Sequence, residues 1–280
     1  MILRLGYDIQ FDLPYPIAVV AMLSVHPSRA ADLQAPDEVS VEPATATEDY
    51  YIDSFGNRCV RFLAQSGPLR LSNSTLIYDS GLPDPVNLAA REVPVQELPH
   101  DVLRYLYNSR YCEVDRFSMI APELFGGLPP GWSRVQAVCD WVHSKVTFNY
   151  QHARPTKSAI DVFTERIGVC RDFQHLAVTL CRALNIPARY VTGYLGDIGV
   201  PVSPTPMDFS AWFEAYLDHR WWTFDARHNH PRIGRVLMAA GRDASDVAMT
   251  TSFGMANLTH FAVTADEVLE GDSSSPAPLG

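Results

Sequence analysis

The sequence predicts an α+β protein: an N-terminal antiparallel β-domain joined to a domain in which a helix packs on an antiparallel sheet. Three stretches predict it. Residues 2–12 alternate, with Leu3, Leu5, Tyr7, Ile9 and Phe11 on one face and Arg4, Asp8, Gln10 and Asp12 on the other, as in a half-buried strand. Farther on, Phe173, Leu176, Ala177, Leu180, Cys181 and Leu184 recur at spacings of three and four, the stripe of an amphipathic helix. Residues 207–217 and 220–225 then read as two strands around Asp218-His219, a two-residue turn.

The remaining elements follow in order. Pro14 and Pro16 end the first strand, and residues 17–25 form a second, more buried one. Residues 49–53 and 58–63 flank Ser54-Phe55-Gly56-Asn57, a turn signal between strands. Residues 69–78 are another strand, so residues 1–80 read as an all-β domain. Four prolines (Pro83, Pro85, Pro94, Pro99) mark 81–114 as a linker, with a short helix expected over 101–107. Pro129-Pro130-Gly131 leads into a helix whose stripe is Val135, Val138, Cys139 and Val142. A short helix opens at Lys157 and ends near Gly168. The helix beginning at Cys170 stops at Asn185-Ile186-Pro187. Residues 188–195 are β-rich, 196–206 are a loop, and 258–264 are the last strand. The second domain is read as 115–270, and 271–280 as a disordered tail rich in serine and proline.

Composition narrows the function classes. The chain has 280 residues, of which 47% are hydrophobic, enough for a large core. A net charge of −10 argues against nucleic acid or an anionic membrane as partner. Five dispersed cysteines are no disulfide framework, so reduced thiols and a cytoplasmic location are expected. The apolar run 16–25 is too short to span a bilayer, and no signal peptide is read. No phosphate-binding or dinucleotide motif is present, and no cofactor is expected. Cys139 and His143 stand four apart, but no second pair at metal spacing accompanies them, so no metal site is expected. Exposed edges on the β-domain offer a route to a homodimer.

Cys170 extends the stripe of its helix at the N-terminal end. Unpaired N–H groups and the helix dipole favour a thiolate there. Taken alone, Cys170 also fits a small buried residue. In the hairpin, the two-residue turn pairs Leu217 with Arg220, Tyr216 with Trp221 and Glu214 with Thr223. Ser210, Trp212, Glu214 and Asp225 then share a face, with Ser210 diagonal to Asp225.

The stretches GVCRDFQHLAVTLCRALNIPARYVTGYL and DFSAWFEAYLDHRWWTFDARHN together resemble the transglutaminase-like superfamily of papain-like cysteine enzymes, in particular its bacterial branch with an N-terminal β-region. The resemblance implies a papain/transglutaminase-like core and acyl transfer or amide and peptide hydrolysis through a cysteine thioester, with a peptide or protein amide as substrate. It implies Cys170 as nucleophile and Asp225 as the residue that orients the base, and it places Asp172, Trp212 and Glu214 along the cleft. The histidine of the family's D-F-H-A-W pattern is replaced here by Ser210, which cannot take up the nucleophile's proton near neutral pH.

Three readings stay open at that position. Another histidine fills in, with His228 and His230 close after Asp225. The thiolate is activated by the helix dipole and nearby charge alone. Or the domain is a pseudoenzyme that keeps its cleft to bind peptides. His175, five residues from Cys170, stands about 140° round the helix and faces elsewhere. Trp212 and Glu214 also fit a core aromatic and a satisfied buried carboxylate, and Asp225 fits a partner for Arg227 or a backbone amide.

Overall fold

The computed structural model describes residues 1–45 and 47–269; the expected tail 271–280 lies outside them. The first region holds β1 (Ile2–Leu13), β2 (Ile17–Ala21), β3 (Ser40–Glu42), β4 (Thr47–Ile52), β5 (Arg58–Ala64) and β6 (Gly67–Tyr78). The alternation in β1 has the expected effect: Leu3, Leu5, Tyr7 and Ile9 are buried. The β4–β5 turn is tied by Asp53, whose carboxylate accepts from the N–H groups of Phe55 (2.8 Å) and Asn57 (2.9 Å).

The second region contains α1 (Ile120–Phe125), α2 (Trp132–Lys145), β7 (Thr147–Phe148), α3 (Ala159–Glu165), β8 (Ile167–Gly168) and α4 (Cys170–Ala183). It continues with β9 (Ala188–Leu195), β10 (Ser210–Leu217), β11 (Arg220–Phe224) and β12 (Arg235–Gly241). These four strands form one antiparallel sheet in the order β11-β10-β9-β12. Helix α4 lies on one face, where Leu176, Ala177, Leu180 and Cys181 meet Phe213, Ala215 and Leu217 of β10. The hairpin register is Leu217↔Arg220, Tyr216↔Trp221 and Glu214↔Thr223. Asp218 and His219 both have positive φ (45° and 60°), as a mirror-image two-residue turn requires.

Three differences from the sequence reading are physical. The last strands among the described residues, β13 (Thr250–Ser252) and β14 (Asn257–Glu267), pair with β2 and β1, so segments far apart in the chain build the first region's two sheets. Alternation in residues 258–264 marks a strand but carries no information about its partner. The expected helix over 101–107 is a single 3-10 turn, Leu103–Leu106, in a connection that packs Val93, Leu98 and Val102 against Tyr216. Finally, α4 is buried on nearly all sides. Gln174, His175, Thr179 and Arg182 are 0–1% exposed beside the apolar stripe. Most of their polar groups are met by specific partners, such as the Arg182 guanidinium on the carbonyl oxygens of Ala188 and Tyr107, while His175 Nδ1 is buried without one. No helix among the described residues is long and apolar enough to cross a membrane.

Candidate active site

Cys170 is the first residue of α4, after Val169 in extended conformation (φ −108°, ψ 177°). The entry is built by Asp172. Its carboxylate is completely buried, accepts from the Val169 N–H (3.0 Å) and is held on its other oxygen by Arg171 (3.0 and 2.9 Å). This caps the helix start. Gly168 follows from the same contact, because a Cβ there would lie 2.7 Å from the Asp172 Cβ. The approach to Cys170 is anchored by β8, which pairs in parallel with β7, and by Lys157, buried with its ammonium on the Ile167 carbonyl (2.9 Å). Asp172 is therefore a structural brace behind the cysteine rather than part of the cleft.

The Cys170 side chain packs with Tyr190, Ala211, Ala239 and Val247 on the α4 side of the sheet. Burial pushes its thiol up to about 11; the Arg227 charge pulls the other way and Asp208 adds to the rise. This reverses the expectation of a resting thiolate. Removing a charge from water costs more than a helix start and one arginine return. Cys170 is still the one cysteine residue that is partly exposed, the other four being buried.

Asp225 follows β11 and is the most densely coordinated carboxylate of the site. Its Oδ1 accepts from Gln174 Nε2 (3.0 Å) and from the backbone N–H groups of Arg227 (2.9 Å) and His228 (3.1 Å). Its Oδ2 accepts from His228 Nδ1 (2.9 Å) and Arg235 Nη2 (2.9 Å). Burial alone would raise this carboxyl, but Arg235 and His228 outweigh it and hold it far below the usual carboxylate range. An ionised carboxylate only accepts, so Nδ1 of His228 carries a proton, and in the neutral form of the ring Nε2 is the acceptor.

His228 lies on the wall of a cleft of about 720 Å³, shared with Tyr150, Asp208, Ser210, Arg227 and His230. Cys170 is not among the residues that line this cleft, but Arg227 and Asp208 of its lining act on the thiol through their charges, and the thiol in turn acts on Tyr150. Arg227 is held over the Phe148 ring at 4.0 Å. Burial raises the Asp208 carboxyl against a hydrogen bond from the Phe209 N–H and the charge of Arg227.

The remaining sequence candidates separate by strand alternation. Ser210 shares its face with Trp212 and with Gly193 on β9, whereas the residues packed around Cys170 include Ala211 and Tyr190 on the other face. The Ser210 hydroxyl is buried without a hydrogen-bond partner. Trp212 is 2% exposed beneath the Arg235 guanidinium, at 5.1 Å, and is core. Glu214 is paired with Arg189 (2.5 Å), away from the cleft. Both depart from the cleft positions that the resemblance implied, because side chains two apart point away from α4 together. His230 Nδ1 bonds to the His228 carbonyl (2.8 Å). Cys139 is buried in the α2 stripe and His143 Nδ1 bonds to the Arg227 carbonyl (2.8 Å), so the two serve different contacts.

Sequence reasoning missed Gln174, Arg227, Arg235 and Asp208. Gln174 was legible in principle, standing four residues from Cys170 on the same helix face. Arg235 was not, because only the sheet brings β12 to Asp225.

Comparison with known proteins agrees with this geometry. Residues 118–226 match the family model of the Transglutaminase-like superfamily, which ends two residues before His228. A solved structure from Cytophaga hutchinsonii, named as a candidate cysteine protease, is 31% identical with a TM-score of 0.81; the match covers 95% of this chain and 90% of that one. The uncharacterized protein ML0607 of Mycobacterium leprae is 26% identical over 216 residues, 74% of this chain and 77% of its own length. YebA of Bacillus subtilis, also described as uncharacterized, is 26% identical over 182 residues, 58% of this chain but 24% of YebA. The family match spans the helix and hairpin that carry Cys170 and Asp225, and the likeness at 31% identity runs the length of the chain: the chain belongs to the transglutaminase-like superfamily.

Proposed function

We propose that the protein is a cysteine acyl-transfer enzyme acting on peptide or protein amides, with Cys170 as nucleophile and His228 as the base that stands in for the family's strand histidine. The observation that carries this reading is the 2.9 Å hydrogen bond between His228 Nδ1 and Asp225 Oδ2, which orients a histidine on the cleft wall with Nε2 left to accept. A thiol that rests protonated suits a general-base mechanism. His228 Nε2 takes the Cys170 proton as sulfur attacks the amide carbonyl carbon. The backbone N–H of Cys170, at the helix start with no partner inside the helix, faces the oxyanion. The C–N bond then breaks, the imidazolium gives its proton to the departing amine, and a thioester remains. Water, or a second amine, attacks that thioester with His228 again as base and frees the thiol. The five unpaired cysteines agree with action in a reducing compartment.

The test compares wild type with Cys170→Ala, His228→Gln and the exchange Ser210→His/His228→Gln on a panel of peptide amides, following release of amine and carboxylate. Turnover by wild type should vanish in Cys170→Ala and fall at least a hundredfold in His228→Gln. Ser210 favours the second reading, a cleft that binds peptides without cleaving them. Equal peptide binding by wild type and Cys170→Ala, with no turnover by either, would establish that reading instead. Full activity in His228→Gln would remove the histidine from the mechanism.

A further inference from the structure

Gln174 is 0% exposed, lies one turn beyond Cys170 on α4, and spends its whole amide on the hairpin. Its Nε2 donates to Asp225 Oδ1 (3.0 Å) and to the Ala211 carbonyl oxygen (3.2 Å). Its Oε1 accepts from the Ala226 N–H (3.2 Å). These partners fix the orientation of the amide. A carboxylate and a carbonyl only accept and a backbone N–H only donates, so the flipped amide would break all three bonds.

The topology gives these bonds a consequence. Asp225 has five donors. Two are backbone N–H groups just after it, one is the His228 ring, one is Arg235 from β12, and the last is Gln174 from the helix that carries the nucleophile. Residues four apart on a helix are neighbours on one face, with Cβ atoms about 5–6 Å apart. Gln174 therefore stands between Cys170 and the carboxylate that holds His228. Its second donor bond reaches Ala211, a member of the small apolar cluster on which Cys170 packs.

We infer that Gln174 is a positioning residue: it sets the distance and angle of the Asp225–His228 pair relative to the helix start that carries Cys170. The inference rests on the reading of Cys170 and His228 as nucleophile and base. Gln174 touches no reacting atom and acts through Asp225. A merely structural role, satisfying a buried hairpin, would lower stability and leave the chemistry of the surviving folded molecules unchanged.

The test uses Gln174→Leu and Gln174→Glu in the full chain, with three readouts. On a cleaved peptide amide, Gln174→Leu should lose about tenfold to a hundredfold in kcat with KM within about twofold, since misplacing a catalytic pair by less than 1 Å costs that much. Alkylation by iodoacetamide at a pH high enough to ionise Cys170 without a base should match wild type, showing the nucleophile intact. Gln174→Glu keeps the shape but turns an acceptor towards Asp225 and the Ala211 carbonyl. Its protonated form regains one donor, so its kcat should recover as pH falls and its profile should shift to the acid side. The third readout is the Nδ1–H resonance of His228 in nitrogen-15-labelled protein. It should move or broaden in Gln174→Leu. Unchanged kcat in folded Gln174→Leu, or an unshifted profile in Gln174→Glu, overturns the inference. If wild type shows no Cys170-dependent turnover, the enzyme reading fails first. The resonance then decides: an unaltered Nδ1–H signal in Gln174→Leu overturns the positioning role, and a displaced one supports it.

Discussion

Burial sets the protonation of Cys170, and single charges adjust it. Burial holds its proton on, and Arg227 is the cation that opposes this. Replacing Arg227 with Gln removes that opposition, so the thiol should titrate higher and react several-fold more slowly with iodoacetamide near pH 8. Stopped-flow alkylation over a pH series checks this; an unchanged rate would mean that Arg227 does not reach the sulfur. Access separates the cysteines as well. Cys59 and Cys112 are also raised to about 11, and Cys139 and Cys181 higher, in each case by burial. Cys170 should label before all four because it alone is partly exposed, not because its thiol is acidic. The glutamine, arginine and histidine around Asp225 illustrate the converse: a carboxylate with five donors stays ionised inside the protein.

Helix α4 carries this chemistry and also the acid sensitivity of the fold. His175 is fully buried, stacked on Tyr111 (4.9 Å between centroids, 11° between planes) and near Tyr190. Its Nε2 accepts from the Ala244 N–H (3.1 Å). Burial pushes its pKa well below the ordinary value; Asp243 opposes the shift, and Arg171 and Arg182 add to it. In the unfolded chain a histidine takes its proton near pH 6.5, while folded His175 stays neutral. The unfolded state therefore binds more protons below that pH, and stability should fall as pH drops from about 6.5. Asp243, lowered in the fold, adds its own loss as pH falls through the ordinary carboxylate range and below it. His175→Phe should be less stable at pH 7, having lost the acceptor for Ala244, but should show a flatter decline between about pH 6.5 and 4. Urea titrations at several pH values measure the slopes; parallel slopes for the two proteins would dismiss His175 as the source.

Across the molecule, the aromatic residue next to the site joins the two regions. Phe209 is 5% exposed and packs edge-on with Tyr194 (5.2 Å) and Phe261 of β14 (5.9 Å), with Tyr7 of β1 at 6.2 Å. It stands between Asp208 and Ser210, both on the cleft wall. Truncating it to Ala should cost about 3–5 kcal/mol and disturb the cleft at the same time. Calorimetry and peptide turnover on the same sample test the pairing: a stability loss with intact turnover at low temperature would separate the β-region from the site. The lining of the cleft also includes Ala265, Asp266 and Glu267, so β14 contributes to it although it belongs to the first region's sheet.

Local periodicity and turn chemistry determined much of this protein. The alternation of β1, the stripe of α4 and the turn at Asp218-His219 are properties of short stretches; each element formed, and the hairpin has the register its turn implies. Cys170 at a helix start and Asp225 after the hairpin were legible for the same reason. Tertiary structure alone decided where the long-range partners fell: β14 beside β1, Arg235 on Asp225, Arg227 by the thiol. It also decided the protonation of Cys170, because desolvation depends on everything packed around a group and not on its neighbours in sequence. The serine at the family's histidine position was visible in the sequence. So were His228 and His230 as candidates to fill in; that Asp225 holds His228 was decided only by distance in space.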